Sequence, residues 1–356
     1  MKLGSLVRLT FGSGREPKQE LLAGLSALTQ VGGSLLTASD ETAVLERLHP
    51  RGGRRALAYG KHERLPLVRY LGRAIGAGHE ADIEGLAFDG QYVWIVGSHS
   101  LVRPQPNAGD PPAKQIRRIQ QLEGRGDRCL LARIPVDERT GELSVSVSTN
   151  KSVRRAASLP MSSDGNALTR GLARDRHIGP FLHIPSKDNG FDVEGIAVLG
   201  ERVFLGLRGP VLGGWAIVIE VKAAEVTPGR LRLVRLSSRA RYRKHFLDLD
   251  GLGVRDVCAD GQDLLILAGP TMKLDGPVLV YRWPNVARLR RDGVVFQRDL
   301  DLILRLPFGD GADHPEGMTI VQRRTRGSRR LMIVFEKTSP DRRRGANTVE
   351  ARLFSI

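Results

Sequence analysis

The stretch FDVEGIAVLGERVFLGLRGP, residues 191–210, decides the fold because its pattern returns along the chain. Residues 81–100, ADIEGLAFDGQYVWIVGSHS, match it without a gap. More distant copies are VRDVCADGQDLLILAGPT (254–271), HPEGMTIVQRRTRGSRRLMIVFEKT (314–338) and the weaker AGLSALTQVGGSLLTASDE (23–41). In the alignment of the copies, the position that follows Glu194 is occupied by Gly24, Gly85, Gly195, Asp256 and Gly317. These residues lie at intervals of 61, 110, 61 and 61 residues. Such a long period predicts a repeat architecture.

Each copy has the pattern of an antiparallel hairpin, in which an apolar run, a turn and a second β-rich run follow one another. Two further β-rich runs follow most copies: 215–221 and 230–236 after the central copy, and 128–136 and 142–147 after the copy before it. Four antiparallel strands per unit are typical of a β-propeller blade. We expect the glycine after the glutamate to let neighbouring inner strands approach closely.

The two ends of the chain complete each other in this interpretation. The last copy has only VEARLFSI (349–356) after its hairpin, and GSLVRLTFG (4–12) has no blade of its own. The sequence therefore predicts an all-β, single-domain propeller over residues 1–356, with its ring closed by pairing of the N-terminal strand with the C-terminal blade. Five blades are preferred, and the 110-residue interval leaves room for a sixth, degenerate blade.

Two long inserts, 101–127 and 148–190, interrupt the repeat. The first contains a predicted short amphipathic helix with Ile116, Ile119 and Leu122 at helical spacing. The second contains a predicted helix that begins at Asp164 and places Leu168 and Leu172 on one face. Because strands alternate in direction within a blade, both inserts are expected on the face that carries the glutamates. There they would cap the channel mouth, where propeller function is usually located.

Composition argues against several classes of protein. The chain has 356 residues, of which 41% are apolar, and no apolar run approaches the 18 residues of a membrane span. Residues 1–14 lack the apolar core of a secretory signal. Cys129 and Cys258 lie in β-rich runs of different blades, so we expect free thiols rather than a disulfide or metal site. These features predict a cytoplasmic protein with no membrane association.

The net charge of +16 raises the possibility of a polyanionic partner. The arginines are spread along the chain, however, and aromatic residues make up only 5% of it, which leaves little for base stacking. A solvated arginine-rich surface is the structural alternative. The functional alternative is a non-catalytic scaffold that binds an acidic protein or a nucleic acid through its basic rim.

Carboxylates of the repeat are expected to meet in the channel. Inner strands line the channel of a propeller, so the repeated glutamates should lie at one level, with the aspartates two residues earlier on the same strand face. Converging carboxylates do not all ionise unless a cation lies among them. Oxygen ligands favour Ca²⁺ or Mg²⁺ over zinc. The sequence thus predicts a metal site formed by Glu84, Glu194, Glu316, Asp82 and Asp192.

Such an ion could activate water or hold a small anionic ligand. His99 or His314 would then be the base, and Arg208, Arg255 and Lys337 would bind the anion. The leading function is metal or anion binding, with a hydrolase of phosphate or other esters as the activity if the protein is an enzyme. The competing interpretation is structural: Arg255 lies between Glu194 and Glu316 in ring order and would plug the channel with ion pairs. A serine hydrolase is disfavoured, since Ser98 is not in a nucleophile-elbow context.

The copies also carry a resemblance to a known family. The segments IEGLAFDGQYVWIVGSHS, GPFLHIPSKDNGFDVEGIAV, RDVCADGQDLLILAGP and HPEGMTIV resemble the bacterial family called domain of unknown function 3616. The resemblance covers most of residues 80–336 and implies a propeller-like bacterial protein without an assigned activity. More loosely, the Asp-x-Glu-Gly signature at 82–85 and 192–195 looks like that of phytase-like esterase propellers, which contain metal. His314 departs from its first position, and Arg255-Asp256 breaks it.

Overall fold

The computed structural model describes residues 4–12, 19–51, 57–72, 75, 81–124, 126–150, 152–238, 240–272, 274–308, 314–322, 329–336 and 342–356. The architecture is mostly β and propeller-like, with curled sheets. The described strands in chain order are β1 (Ser5–Thr10), β2 (Leu25–Val31), β3 (Ser34–Ser39), β4 (Val44–Arg51), β5 (Ala58–Pro66), β6 (Ile83–Phe88), β7 (Tyr92–Gly97), β8 (Leu101–Val102), β9 (Glu123–Gly124), β10 (Leu131–Pro135), β11 (Ser146–Ser148), β12 (Val153–Arg155), β13 (Ala157–Ser158), β14 (Asp192–Leu199), β15 (Arg202–Leu212), β16 (Trp215–Thr227), β17 (Arg230–Val234), β18 (Tyr242–Asp248), β19 (Gly253–Asp260), β20 (Asp263–Gly269), β21 (Val278–Trp283), β22 (Gly293–Val295), β23 (Asp301–Leu306), β24 (His314–Gln322), β25 (Arg329–Glu336) and β26 (Thr348–Ser355).

Helices are short and lie between the strands. The α-helices are α1 (Gln19–Ala23), α2 (Val68–Leu71), α3 (Pro112–Gln120) and α4 (Ala167–Leu172). Single 3₁₀ turns are found at Gly126–Cys129, Gly179–His183, Ser186–Asp188, Val286–Arg288 and Gln297–Asp299. Within the described ranges, none of the helices has the length and apolar character that crossing a bilayer requires.

Antiparallel pairing groups most strands into four-stranded units. The units are β2-β3-β4-β5, β6-β7-β10-β13, β14-β15-β16-β18, β19-β20-β21-β23 and β24-β25-β26-β1. In the last unit the N-terminal strand β1 pairs with the C-terminal strand β26, with Leu9 opposite Val349. Parallel contacts such as that of β1 with β5 join neighbouring units at their outer edges.

The first strands of the units contact one another in the order β2, β6, β14, β19, β24 and back to β2. The core is divided accordingly, since one apolar cluster fills each space between neighbouring units. For example, neighbouring residues of β15 face opposite sides of their unit. Leu205 packs in one cluster with Trp94 of β7, and Phe204 packs in another cluster with Leu264 of β20. A unit with two apolar faces needs a neighbour on each side, which explains why the sheets stack face to face.

Two outer strands differ from those predicted. After β10 the fourth strand is β13, at 157–158, rather than 142–147. After β16 it is β18, whereas β17, which lies in the predicted run 230–236, pairs with the far end of β16. Because β16 is 13 residues long, it has room for both partners. Strand propensity at 142–147 and 230–236 therefore did not identify which run completes each unit.

The inserts contain the two predicted helices. Helix α3 forms as expected around Ile116 and Ile119 but ends at Gln120, before Leu122, and none of its residues is buried. Helix α4 buries Leu168 and Leu172 as expected. Its N-cap is Asn166 rather than Asp164, because the Asn166 side chain accepts hydrogen bonds from the backbone N–H groups of Leu168 and Thr169. Both cysteines are free thiols, as the sequence predicted.

Candidate functional site

A β-bulge interrupts each inner strand at the same position. In β6, for example, Ile83 pairs with Gly97 and Gly85 with Val96, so the residue between them has no partner. A bulge re-aims the side chain of the extra residue and commonly lies beside a functional site. The unpaired residues of the five inner strands all line one cavity: Ser26, Glu84, Glu194, Arg255 and Glu316.

The residue after each bulge sets the distance between inner strands. A Cβ atom added to Gly85 would lie 2.9 Å from the backbone nitrogen of Ile196, and one on Gly317 would lie 3.1 Å from the Cα of Ala27. The expected close approach of neighbouring inner strands is thus confirmed. In β19 this position is Asp256, whose Oδ2 accepts a hydrogen bond from the Met318 backbone N–H at 2.7 Å and links β19 to β24. Burial raises the pKa of Asp256 well above its usual range.

The register corrects the alignment of the first copy. Leu25 pairs with Ser39 and Ala27 with Ala38, so Ala27, not Gly24, is the counterpart of Gly85. The shift places Ser26 at the glutamate position, where its Oγ donates a hydrogen bond to the Ile83 carbonyl at 2.6 Å. It also places an unpredicted carboxylate at the mouth. On the second strands, the residues one position after the partner of the residue that precedes each bulge are Asp40, Ser98, Arg208, Gly269 and Glu336.

All of these residues except Ser98 line a cavity of about 640 Å³, as do the bulged residues. Both inserts contribute to its lining, through Arg103 from the first and Lys187 from the second. Nine carboxylates face five Lys or Arg side chains among the described lining residues. Since the whole chain has a net charge of +16, the acidic character of this cavity is specific to the site and opposite to the rest of the surface.

Two arginines connect carboxylates of the cavity floor, which consists of the bulged residues together with Asp82 and Asp192. The Arg208 Nη1 lies 2.5 Å from Glu194 Oε1, and its Nη2 lies 2.5 Å from Asp192 Oδ2. The Arg255 Nε lies 3.1 Å from Glu194 Oε2, and its Nη2 contacts Glu316 Oε1. The predicted plug between Glu194 and Glu316 is therefore present as a set of ion pairs. Although burial opposes its charge, Asp192 and Glu194 raise the pKa of Arg208.

The ion pairs leave hydrogen-bonding capacity unused. Asp192 Oδ2, Glu194 Oε2 and Glu316 Oε1 are buried and lie within ion-pair distance of a guanidinium, but none of them accepts a hydrogen bond of acceptable geometry from the described residues. Burial raises the pKa of Asp192 to about 7 even though Arg208 opposes the shift. Buried carboxylate oxygens of this kind favour a further cation.

Glu84 is the least compensated carboxylate of the floor. It makes no hydrogen bond or ion pair with any residue that the structure describes. Burial, followed by Asp82 and Glu194, raises its pKa well above the usual range. One carboxylate oxygen each of Glu84, Glu194 and Glu316 lies within 4.8 Å of the other two. The structure thus brings together the three predicted glutamates.

The predicted aspartates occupy different environments. Asp82 accepts hydrogen bonds from Arg128 at 2.6 Å and from Ser98, and its backbone adopts the left-handed conformation with φ of 46°. Asp192 is held by Arg208 as described above. Neither belongs to the trio of glutamates with closely spaced oxygens. Arg128 was missed in the sequence, since it begins an ordinary β-rich run.

The predicted bases and the third predicted cation have different outcomes. His99 is buried and is not among the described residues of the cavity lining, because its Nδ1 donates to the Gly97 carbonyl at 2.7 Å and its Nε2 accepts from Asn166 at 2.8 Å. Burial lowers its pKa to about 4. His99 therefore supports α4, and its role as a base stays a prediction that these contacts do not support. His314 lines the cavity, and Lys337 lies outside the described residues.

Comparison with family models identifies the group of proteins to which this architecture belongs. A model described as "Protein of unknown function (DUF3616)" matches residues 24–352. The chain belongs to this family. The DUF3616 match includes all the bulged residues of the floor, and it assigns no activity to them. No curated protein matches the chain.

Several solved structures are similar to this DUF3616 chain over most of its length. They are Myxococcus xanthus glutaminyl cyclase (10% identity, 99% of each chain, TM-score 0.40), the Malassezia sympodialis allergen Mala s 1 (11% identity, 93% of this chain and 78% of that one, TM-score 0.35) and a DUF4623 family protein from Bacteroides eggerthii (9% identity, 96% and 72%, TM-score 0.35). With TM-scores below 0.5, these matches carry no inference about function.

Proposed function

We propose that this protein is a five-bladed propeller whose mouth binds a divalent metal ion, Ca²⁺ or Mg²⁺, through Glu84, Glu194 and Glu316. The five blades and the closed ring are supported by the cyclic contacts of the inner strands and by the pairing of β1 with β26. The inserts would cap the mouth, since both contribute residues to the cavity lining.

The observation that carries the metal proposal is the spacing of the three carboxylates. Their oxygen atoms lie within 4.8 Å of one another. Calcium–oxygen distances are roughly 2.4 Å, so two ligands on opposite sides of one ion are about 4.8 Å apart. One Ca²⁺ would therefore fit the spacing, and Mg²⁺ would require the oxygens to draw together. Three oxygen ligands suit either hard cation and leave coordination positions open to the cavity.

Charge balance supports the same conclusion. When all are ionised, five carboxylates around the floor face three guanidiniums, an excess of two negative charges that one divalent ion matches. The groups are Asp82, Glu84, Asp192, Glu194 and Glu316 against Arg128, Arg208 and Arg255. The acidic lining also argues against an anionic ligand that binds without a metal. Hydrolysis of phosphate or other esters is the reaction we propose to screen in metal-loaded protein, with His314 as the candidate base.

The test is calcium and magnesium binding by protein that has been dialysed against EDTA, measured by calorimetry and by thermal melting. We expect about one ion per chain and a melting temperature that rises with metal concentration. Glu84→Gln should lose this shift because the described residues offer Glu84 no hydrogen bond or ion pair, so its carboxylate is available to the ion. Glu201→Gln is the matched control, since Glu201 is 79% exposed and pairs with Lys222 in the hairpin turn after β14. Equal shifts in wild type and Glu84→Gln would refute the site.

An interaction scaffold is the second candidate, and helix α3 favours it. Ile116, Ile119 and Leu122 are 59%, 45% and 46% exposed, and Arg117 and Arg118 flank them. Exposed apolar side chains with basic neighbours suit an acidic protein partner. Binding of such a partner should weaken steeply with salt and with Ile116→Glu. If the partner binds with an affinity that changes neither with salt nor with Ile116→Glu, α3 is excluded as its contact surface.

A further inference from the structure

We propose that Arg255 and the metal ion exclude each other, so that metal binding displaces Arg255 from the floor and frees it to bind an oxyanion in the cavity. This inference rests on the proposed metal site. Arg255 contacts Glu194 through Nε at 3.1 Å and Glu316 through Nη2. Both partners are members of the glutamate trio, so Arg255 and a metal ion compete for the same carboxylate groups.

The contacts indicate which of the two arginines leaves. Glu194 presents one oxygen to Arg208 and the other to Arg255, so a metal ion that binds Glu194 meets a guanidinium at the same oxygen and is repelled by its charge unless that guanidinium withdraws. Arg208 would retain Asp192, which is outside the trio, at 2.5 Å. Arg255 would lose both of its carboxylate partners to the ion. Because a buried charge without a partner is strongly disfavoured, Arg255 is the group that must move into the cavity.

The surroundings of Arg255 leave room for this movement. Its side chain passes over Gly269, where an added Cβ atom would lie 2.9 Å from the Arg255 Cγ. Gly269 occupies the position that Arg208 and Glu336 hold in other units, so this position itself places no side chain next to Arg255. The adjoining cavity of about 640 Å³ is much larger than a guanidinium or a single ion needs.

Release of Arg255 changes what the cavity can bind. With the metal absent, Arg255 and Arg208 are engaged by carboxylates and the cavity lining is acidic. With the metal bound, a free guanidinium would stand beside an ion that has open coordination positions. Guanidinium groups bind oxyanions such as phosphate with paired N–H donors. Metal and oxyanion should therefore bind with positive coupling, each raising the affinity for the other.

The experiment compares the wild type with Arg255→Met and Arg255→Lys by calorimetry. We expect Arg255→Met to bind Ca²⁺ and Mg²⁺ roughly tenfold more tightly, since the competing cation is gone. Arg255→Lys should lie between the two because it keeps the charge without the two-pronged contact. Inorganic phosphate should bind the wild type more tightly in the presence of Mg²⁺, and Arg255→Met should lose this coupling. If Arg255→Met does not fold without metal, Arg255→Lys provides the comparison.

A matched control separates competition from general loss of stability. Arg282 also bridges two carboxylates, Asp260 at 2.6 Å and Asp263 at 3.0 Å, but it is not among the described residues of the cavity lining. Arg282→Met should leave metal affinity unchanged. If the wild type binds metal and both Arg255 variants bind it equally tightly or more weakly, this inference is overturned but the proposed metal site is not. Absence of metal binding in the wild type and in both Arg255 variants would overturn the proposed function with it, and phosphate affinity independent of Mg²⁺ would overturn the coupling.

Discussion

Gly195 of strand β14 lies against Asp256 of strand β19, so closely that a Cβ atom on Gly195 would be 2.7 Å from the Asp256 Cα. The same atom would lie 2.6 Å from the Val257 backbone nitrogen. These neighbours are backbone atoms of an inner strand, which cannot turn aside as a flexible side chain can. Since Glu194 directly precedes Gly195, this contact also fixes the height of the floor carboxylate.

We therefore predict that Gly195→Ala destabilises the protein by about 1–3 kcal/mol through overpacking. Urea denaturation monitored by tryptophan fluorescence would measure the change. Gly171→Ala is the control, because no atom outside its immediate neighbours lies within 4 Å of the new Cβ and alanine is favoured in helix α4. Equal stability of Gly195→Ala and the wild type would show that β14 and β19 are not held at the described distance.

The N-terminal strand should contribute as much to stability as a central one. Leu9 is fully buried, whereas Leu6 on the same strand is 46% exposed. We predict that Leu9→Ala costs about 2–5 kcal/mol, as expected for a truncated core leucine, and that Leu6→Ala stays within about 0.5 kcal/mol of the wild type. Thermal and urea unfolding would test the pair. Similar small effects of both substitutions would argue that β1 is not integrated into the sheet with β26.

Asp40 should make stability depend on pH. Burial, together with Asp82 and Glu336, raises the pKa of Asp40 from 3.8 to about 6. The folded state therefore holds the Asp40 proton more tightly than the unfolded state does. The resulting contribution to the stability of the folded state is complete below pH 4 and is lost as the pH rises through 6. We predict that Asp40→Asn, in EDTA, is about 2 kcal/mol more stable than the wild type at pH 8. At pH 4 the two should melt alike, and a constant difference at both pH values would contradict the assignment.

Helix α4 should depend on Asn166 and not on Asp164. Asn166 caps the helix and donates to His99, whose pKa burial lowers to about 4. We predict that Asn166→Ala lowers the free energy of unfolding by about 1–2 kcal/mol, and that Asp164→Ala, at an exposed position, changes it by less than about 0.5 kcal/mol. Denaturant unfolding of both variants would decide the matter. Equal losses would restore Asp164 as the helix start.

Most of the architecture could be predicted because the repeat encodes it locally. The hairpin at 191–210 and its copies carry alternating apolar residues and turn glycines, and these determine the inner two strands of each unit. The outer strands are harder to predict, since several β-rich runs follow each hairpin. Packing against the neighbouring unit, which no local pattern records, selects β13 and β18 over the runs at 142–147 and 230–236.

The site was predictable to the extent that it repeats. Glu84, Glu194, Glu316 and Arg255 were found because they share one position of the copies. Asp40 was missed because the weak first copy was aligned three residues out of register. If the first copy had been aligned on its hairpin turn and not on Gly24, Asp40 would have been aligned with Arg208. The surroundings of His99 could not be foreseen, since its partner Asn166 comes from an insert distant in sequence.

The pairing of β1 with β26 has a consequence for how the protein is made. One sheet joins residues 5–10 to residues 348–355, which are separated by almost the whole length of the chain. During translation this sheet stays incomplete until residue 355 has emerged from the ribosome. Until then β25 lacks its pairing strand β26, and β2 lacks a complete neighbouring unit to pack against. Nascent chains should therefore bind chaperones that recognise exposed apolar strands until β26 has been synthesised.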